Sequence, residues 1–352
     1  MIQKFILPNQ RVRKIEVRDI LRNGRVDNPH VLVPSAHIDV NNSSMISRFL
    51  DDANQGLICA EEDDPSIGMW LRRIYGVTHS CRSASPEIWN ETTKLCRQHG
   101  IFQTLHEDPF VRRAYEKPRG YPGDAVLLDY IYDQDLAKPL NSASPLGTRI
   151  HRWTTQSSAC NGVKSRRAFI AAFIDRLVSE RPSVEIMSVA CGHFREADIS
   201  SAILRRKLKR IVGVDSDAAS LALVDEVYGR LNIETIETQA RRMLTGRIDF
   251  GKFDFIFSAG LFDYLSDQNC RQLCSRWFSM LKPGGFLLLT NFFDNIEGVG
   301  FMEAFMDWRL IYRNRLQMMA MTMDIPEEQI LDIHYFAEEN QNVIFILLQN
   351  VW

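Results

Sequence analysis

The chain lacks the features that mark several protein classes. No run of residues approaches the roughly 18 apolar positions of a membrane span, and the N-terminus has no apolar stretch typical of a signal peptide. The seven cysteines are an odd number and contain no C-x-x-C pair, which fits neither a disulfide framework nor a zinc site. We therefore expect a cytoplasmic protein without stable membrane insertion and without a metal site.

Charge of one sign is not in excess either. The 42 Lys and Arg residues balance 44 Asp and Glu residues, and the net charge of −2 is not that of a general nucleic-acid binder. The exception is local, because the first 25 positions hold seven basic and two acidic residues. We expect a loosely attached arm there and no nucleic-acid partner. Composition leaves the oligomeric state open.

Hydrophobic periodicity divides the 352 residues into two regions. From 166 to 352, short apolar runs alternate with stretches of helical period, which predicts an α/β domain with a mostly parallel sheet. Strands are predicted at 184–190, 210–214, 233–238, 253–258 and 282–292, with a terminal antiparallel pair at 330–336 and 342–348. Residues 1–165 show scattered helical patterns, and we expect a mainly helical region that caps the cofactor and substrate site.

The first strand of the α/β domain lacks the glycine fingerprint of a dinucleotide site. The spaced positions of G-x-G-x-x-G would carry glycines that let a pyrophosphate approach the backbone, but here Ala190, Gly192 and Phe194 stand after the strand. Asp215 ends the second strand, 23 residues after Gly192, where a carboxylate can accept hydrogen bonds from both ribose hydroxyls. The pair predicts a nucleoside without phosphates, although Gly192 could simply turn the chain and Asp215 simply cap a helix.

S-adenosylmethionine (SAM) is the phosphate-free nucleoside that such a sheet commonly binds. Ligands of open parallel sheets lie beyond the carboxyl ends of the strands, so we expect the cofactor-binding residues in the loops that follow them. The candidates from the four strand ends are Ala190, Cys191, Gly192, Asp215, Ser216, Gln239, Ala240, Arg241, Ser258, Ala259 and Gly260. The loop EKPRGYPGD adds Arg119 and Tyr121, although an ordinary turn capped by Asp124 explains that loop equally well.

Four segments in succession carry a family resemblance. VEIMSVACGHFRE, RIVGVDSD, FDFIFSAGLFDYL and LKPGGFLLL resemble the class I SAM-dependent methyltransferases, which implies a Rossmann-like seven-stranded sheet and SAM as cofactor. PFVRRAYEKPRGYPGDAVLLDYIY, SVACGHFREADI, FSAGLFDYLSD and MDWRLIYR resemble bacterial 3-hydroxy fatty acid methyl ester synthases, which make extracellular quorum-sensing signals. That resemblance spans roughly 109–350. It implies methylation of the carboxylate of a 3-hydroxy acyl chain, either free or bound to an acyl carrier.

The candidate catalytic residues follow from this chemistry. An ionised carboxylate needs no general base, so the protein has to position it. Arg313 is our first choice for a carboxylate clamp, on a predicted helix at 300–321 where Tyr312 and Trp308 would line the acyl path. A phenol or amine substrate would instead require a base, for which His193, His151 and Tyr264 are candidates.

Three other classes remain open at this point. A nucleic-acid methyltransferase shares the fold, but the fourth strand is followed by Ser-Ala-Gly-Leu and not by the N/D-P-P-Y/F tetrapeptide of enzymes that methylate nucleobase amino groups. An NAD-dependent oxidoreductase would require the glycines of the G-x-G-x-x-G fingerprint, which are missing here. A cofactor-binding module without catalysis is the third.

Overall fold

The computed structural model describes residues 38–61, 65–133, 140–141, 143–294 and 296–351. The basic arm expected in the first 25 positions lies outside these residues. The helices are α1 (Ser43–Ile58), α2 (Ser66–Ala84), α3 (Pro86–Gln98), α4 (Gly100–Leu105), α5 (Pro109–Glu116), α6 (Ala125–Ile131), α7 (Pro145–Thr154), α8 (Ser158–Glu180), α9 (Ser201–Leu204), α10 (Ala218–Tyr228), α11 (Asp267–Phe278), α12 (Val299–Phe305) and α13 (Arg315–Ala320). The strands are β1 (Glu185–Val189), β2 (Arg210–Asp215), β3 (Ile233–Glu237), β4 (Phe253–Ser258), β5 (Leu281–Phe292), β6 (Ile330–Ala337) and β7 (Val343–Asn350).

The seven strands form one sheet in the order β3-β2-β1-β4-β5-β7-β6. Strands β1 to β5 are parallel to one another, whereas β7 runs antiparallel to both β5 and β6, between which it lies. The interior strand β1 is buried along its whole length, as expected for a parallel strand with helices on both faces. The predicted Rossmann-like seven-stranded sheet and its terminal antiparallel pair are confirmed.

The sheet separates two apolar clusters. One face packs against α11, where Cys270 and Cys274 are fully buried. The other face carries α8 and the helices of the N-terminal region, so that region shares a core with the sheet. Glycine allows α12 to approach α2 closely, because a Cβ on Gly300 would lie 2.4 Å from the backbone carbon of Thr78. The boundary expected at residue 165 falls inside α8, and the division into two domains remains a prediction.

Two predicted helices are interrupted in the structure. After β1, the backbone of Phe194 is left-handed, and a short turn at Arg195–Asp198 precedes α9, which the Ser200 hydroxyl caps. The single helix predicted over 300–321 is wrong. It is divided into α12 and α13 by a non-helical segment, 306–314, in which Asp307 has a φ of 45°. Arg97 and Lys117 both bind the Asp307 carboxylate and hold the chain in this turn.

Among the described residues, no helix is long and apolar enough to cross a membrane.

Candidate functional site

The loop after β1 forms the floor of the candidate site. Ala190, Gly192 and Phe194 all have a left-handed backbone, with φ between 52° and 55°. Phe194 is fully buried beside Phe257, so its ring packs into the core below the loop. A Cβ on Gly192 would lie 3.1 Å from the Cβ of Ala125, which places the start of α6 directly over the loop.

Asp215 joins the ends of β1 and β2. Its Oδ2 accepts a hydrogen bond from the Gly192 backbone N–H at 2.8 Å, and its Oδ1 accepts one from the Asp217 N–H at 2.9 Å. Each carboxylate oxygen can accept a further bond, which leaves capacity for a ribose hydroxyl. The helix cap is Asp217, because its side chain accepts from the Ala219 N–H. Asp215 is therefore not the cap of α10, and its placement suits a nucleoside-binding carboxylate.

The loop before α6 covers the ends of β2 and β4. Arg119 donates to Asp217 and Ser220 at the start of α10. The Tyr121 ring lies 6.2 Å from the Tyr264 ring, and burial together with Asp215, Asp124 and Asp217 raises the pKa of Tyr121 to about 12. A Cβ on Gly123 would lie 2.4 Å from the Tyr264 hydroxyl, so this loop touches the β4 end through a residue without a side chain.

Asp124 anchors that loop. It is fully buried, accepts the Leu127 N–H as the N-cap of α6, and binds Arg113 through both carboxylate oxygens. The helix-capping role predicted for Asp124 is confirmed. Since the same ion pair fixes the loop, Arg119 and Tyr121 keep their positions over the strand ends.

The end of β4 supplies a second group of candidates. The Ser258 hydroxyl is buried and has no hydrogen-bond partner among the described residues. The Ala259 carbonyl accepts a bond from Thr290, and Gly260 and Ala259 are half-buried. Beyond them, burial raises the pKa of Asp263 to about 7, although Phe292 N–H donates to its carboxylate at 2.6 Å.

Tyr264 stands at the same edge. Its hydroxyl accepts a hydrogen bond from the Trp308 indole N–H at 2.9 Å, while 37% of the residue's surface remains exposed. Burial of the hydroxyl and the neighbouring Asp263 raise the pKa of Tyr264 well above its usual range. Tyr264 is thus a neutral phenol at physiological pH, suited to donating a hydrogen bond and poorly suited to acting as a base.

His193 follows Gly192 and is buried. Its Nδ1 lies 2.8 Å from Asp129 of α6, and its Nε2 is buried with no hydrogen-bond partner among the described residues. Burial would raise the pKa of Asp129, but hydrogen bonds from Arg195 and His193 lower it below the usual range. A carboxylate that accepts from Nδ1 favours the tautomer with a free Nε2 lone pair, which is the form a base requires. By contrast, His151 pairs with Asp108 inside the helical region.

Arg313 does not clamp a substrate, and this prediction is corrected. The side chain is fully buried, and its five N–H groups donate to three acceptors from the β4–α11 connection and one from β5. These acceptors are the Phe262 and Leu265 carbonyls, Asn291 Oδ1 and Asp267 Oδ1. With every donor used inside the chain, Arg313 supports the fold.

The neighbours of Arg313 are also placed differently from the prediction. Residues 306–314 are not helical, so Trp308 and Tyr312 do not share a helix face. Trp308 lies against Tyr264 and Gly123 at the sheet edge. The Arg82 guanidinium carbon lies 5.6 Å from the centroid of the Tyr312 ring. Burial raises the pKa of the Tyr312 hydroxyl well above the usual range. The role predicted for Trp308 at the site remains a prediction, whereas Tyr312 faces α2.

The remaining candidates lie at the rim or pack inward. Ser216, Gln239 and Arg241 are exposed at the ends of β2 and β3, and Ala240 packs against the apolar cluster on the α11 side. The Cys191 sulfur points towards Gly213 of β2, and burial raises the pKa of its thiol well above the usual value. The Cys191 thiol is therefore packed against the sheet, and only the backbone of this residue would contact a ligand.

An apolar cavity adjoins the sheet edge and was not predicted. Residues of α2, α5, α6, α8 and α12 line it together with Phe292 and Trp308. Its volume is about 20 Å³, room for about one water-sized group. Two of the lining residues, Met302 and Met306, have flexible side chains that can repack around a larger group.

Sequence reasoning also missed Arg166, which lies on α8 with only 3% of its surface exposed. Its Nε is buried without a hydrogen-bond partner among the described residues. The signal was present in the sequence. Arg166 continues the apolar stripe of Phe169, Ile170 and Phe173, so helical spacing places this charge on the buried face.

These residues fit a nucleoside that carries an amino acid. A carboxylate at the β2 end disfavours a phosphate, and the floor has no side chain at Gly192. Ser258 Oγ, His193 Nε2 and Arg166 Nε are buried polar atoms left for a polar ligand. Within the described part of the chain, no group of three or more His, Cys, Asp or Glu side chains could hold a metal ion.

Comparison with a known family agrees with this fit. Residues 186–285 match a family described as a methyltransferase domain, and no curated protein sequence matches the chain. Residues 186–285 therefore match a methyltransferase domain within a sheet of the class I methyltransferase fold, and SAM is the methyl donor of this type of enzyme.

Three solved structures are similar to the chain at low identity. A possible exported protein from Bordetella parapertussis is 15% identical over 76% of this chain and 100% of its own, with a TM-score of 0.48. The N-methyltransferase NodS from Bradyrhizobium japonicum WM9 with S-adenosyl-L-homocysteine (SAH) is 16% identical, covering 51% and 85% of the two chains with a TM-score of 0.36. Magnesium protoporphyrin IX methyltransferase from Synechocystis PCC 6803 with SAH is 11% identical, covering 55% and 86%, with a TM-score of 0.41. None of the three informs us about the substrate of this chain.

Proposed function

We propose that the chain is a carboxyl O-methyltransferase that converts a small acid with an apolar chain into its methyl ester. The observation that carries this proposal is the apolar cavity beside Phe292 and Trp308, because Trp308 also contacts Tyr264 beyond the β4 end. An apolar cavity next to a polar site suits a molecule with one polar end and one apolar end. The resemblance noted in the sequence makes a 3-hydroxy fatty acid, free or bound to an acyl carrier, our specific candidate.

The chain's own residues would act by binding and positioning. Asp215 and the Gly192 backbone hold the nucleoside, and the loop around Tyr121 and Gly123 covers it. SAM, when bound, supplies the electrophilic methyl group. Tyr264, as a neutral phenol, can donate a hydrogen bond to the acid, while Trp308 fixes its hydroxyl and excludes water. Holding two reactants in line is the main contribution a protein makes to such a displacement.

No proton has to be removed in this reaction. A carboxylic acid with an ordinary pKa near 4 to 5 is already ionised at neutral pH. The raised pKa of Tyr264 and of Asp263 is therefore no obstacle to carboxyl methylation, whereas a phenol or amine acceptor would require a base.

The cavity size sets a limit on the acid. A volume of about 20 Å³ has room for about one water-sized group, so an acyl chain can enter only if Met302 and Met306 move. We therefore expect short 3-hydroxy acids to be accepted at least as well as long ones.

A panel of acceptors tests the proposal. The chain is incubated with SAM and with 3-hydroxybutyrate, 3-hydroxyhexanoate or 3-hydroxydecanoate, and SAH and methyl ester are quantified. We expect equal amounts of both products with at least one acid. If none of the acids gives an ester while a phenol or amine is methylated, the carboxyl proposal is wrong.

One observation favours a second candidate, a small-molecule O- or N-methyltransferase that uses a base. His193 is oriented by Asp129 and keeps a buried, unpartnered Nε2. Under this alternative, His193→Gln abolishes turnover of a phenol or amine, whereas under carboxyl methylation it leaves kcat for the acid within about threefold.

A further inference from the structure

Arg166 is a buried guanidinium without a carboxylate partner. It lies near the middle of α8, has 3% of its surface exposed, and forms no ion pair within 4.0 Å with any described carboxylate. Its Nε has no hydrogen-bond partner there either. Burying a charge costs several kcal/mol unless a partner of opposite charge compensates it. An anionic ligand would supply such a partner for Arg166.

The position of Arg166 connects the apolar cavity to the end of β4. Val163, which lines the cavity, lies three residues earlier on the same face of α8. At the other side, the Nη1 atom of Arg166 lies 3.6 Å from where a Cβ on Gly260 would be. An acid whose chain enters the cavity would thus present its carboxylate at the guanidinium and at the β4 end.

The acids nearest to Arg166 do not pair with it. Asp263 and Glu196 both interact with it electrostatically, but neither forms an ion pair with it among the described contacts. Burial raises the pKa of Asp263 to about 7 and also raises the pKa of Glu196. The other polar neighbour is the hydroxyl of Tyr132, which is neutral. None of these neighbours forms an ion pair with the Arg166 guanidinium.

We propose that Arg166 binds the carboxylate of the acid substrate, an inference that rests on the proposed carboxyl methylation. A guanidinium that donates to one carboxylate oxygen leaves the other oxygen free to attack. That oxygen forms a bond to the methyl carbon, the carbon–sulfur bond breaks, and its electron pair remains on sulfur. The products are SAH and a neutral ester, and no proton is transferred. Because the ester has lost its charge, Arg166 holds the product less tightly than the acid.

Comparing an acid with its uncharged amide distinguishes carboxylate binding by Arg166 from a purely structural role. Calorimetry would measure binding of 3-hydroxyhexanoate and of its primary amide to the chain saturated with SAH. We expect the wild type to prefer the acid over the amide by about 10- to 100-fold, since only the acid forms a charged hydrogen bond. Arg166→Gln should abolish that preference while SAH affinity and amide affinity change by less than about threefold.

Two further variants complete the test. Arg176→Gln, on the exposed end of α8 where Arg176 pairs with Glu180, is the matched control and should behave as the wild type. Arg166→Lys keeps the charge, so it should retain part of the preference for the acid. If Arg166→Gln does not fold, the Lys variant decides, because the inference requires its acid preference to fall with the amide affinity unchanged.

The outcomes that overturn the inference are distinct from those that overturn the function. An unchanged acid preference in Arg166→Gln refutes the inference, and so does a loss of SAH affinity with the acid preference intact, which would assign Arg166 to the cofactor's carboxylate. Should Arg166→Gln methylate acids as fast as the wild type, the function stands and the inference fails. Acid binding that depends on Arg166 without any ester formation would leave the inference standing and refute the function.

Discussion

Replacing Arg313 by alanine should destabilise the fold. The change leaves Asn291 Oδ1 without its donor, and it leaves the Phe262 and Leu265 carbonyls with only a long bond from the Leu265 N–H and weak bonds from the Cys270 thiol. The fourth acceptor, Asp267, has a largely exposed side chain, and solvent replaces its lost bonds. Each unsatisfied buried acceptor costs about 1 to 3 kcal/mol, and water entering the vacated space recovers part of this. We expect a loss of roughly 3 to 5 kcal/mol in the free energy of unfolding.

Urea unfolding followed by circular dichroism measures this loss. The matched control is Arg315→Ala, two residues away on the exposed start of α13, which should change the unfolding free energy by less than about 0.5 kcal/mol. Arg313→Lys should recover only part of the stability, because an ammonium cannot reach four acceptors in the geometry of a guanidinium. An Arg313→Ala variant as stable as the wild type, with a raised KM for the acid alone, would refute this reasoning and restore Arg313 as the carboxylate clamp.

Three more perturbations test the site. Asp215→Ala should weaken SAH binding by roughly 1.5 to 3 kcal/mol, measured by calorimetry, because the ribose loses a charged acceptor and the Gly192 N–H loses its partner. Unchanged affinity would remove Asp215 from the site. The raised pKa of Asp263 means that the folded state holds its proton more tightly than the unfolded chain, so wild-type stability falls as pH rises from about 4 to about 7. Asp263→Asn should therefore gain stability relative to the wild type over that range, by on the order of 4 kcal/mol at most, and a difference in urea unfolding that stays constant with pH would contradict it. Met302→Ala, which enlarges the apolar cavity, should shift the preferred acid towards a longer chain in kcat/KM, and an unchanged preference would separate the cavity from the substrate.

The sheet could be predicted because its signals are local. Each parallel strand is a short apolar run, and the order of elements along the chain determines how such strands arrange. The positions of Gly192 and Asp215 at neighbouring strand ends follow from the same rule, and the structure joins them by a hydrogen bond. The periodic signal also located α8, although the helix begins eight residues earlier than its apolar stripe at 166 suggested.

The path of residues 306–314 could not be predicted in the same way. Its apolar spacing is compatible with a helix, but the partners that fix it are distant in sequence. Asp307 is held by Arg97 and Lys117, and Arg313 by carbonyls that follow β4. Local periodicity contains no information about such contacts, so arginine and aromatic residues that looked like a substrate clamp became part of the core.

For Arg166 the error was the opposite one, because sequence reasoning overlooked a buried arginine as a candidate for the site. A charge on the apolar face of a helix is costly, and the cost is itself a sign of function or of a buried partner. Only the three-dimensional structure distinguishes these two cases, because it places Gly260 next to the guanidinium and the apolar cavity one turn away.

The most direct test of the account is transfer of a labelled methyl group. The chain is incubated with SAM carrying a ¹³C-methyl group and with 3-hydroxyhexanoate, and the products are identified by mass spectrometry, with Asp215→Ala as the control. We predict a labelled methyl ester and an equal amount of SAH for the wild type, and a strongly reduced yield for the variant. Absence of labelled ester from every 3-hydroxy acid, with the label appearing on a phenol or amine instead, would contradict the account.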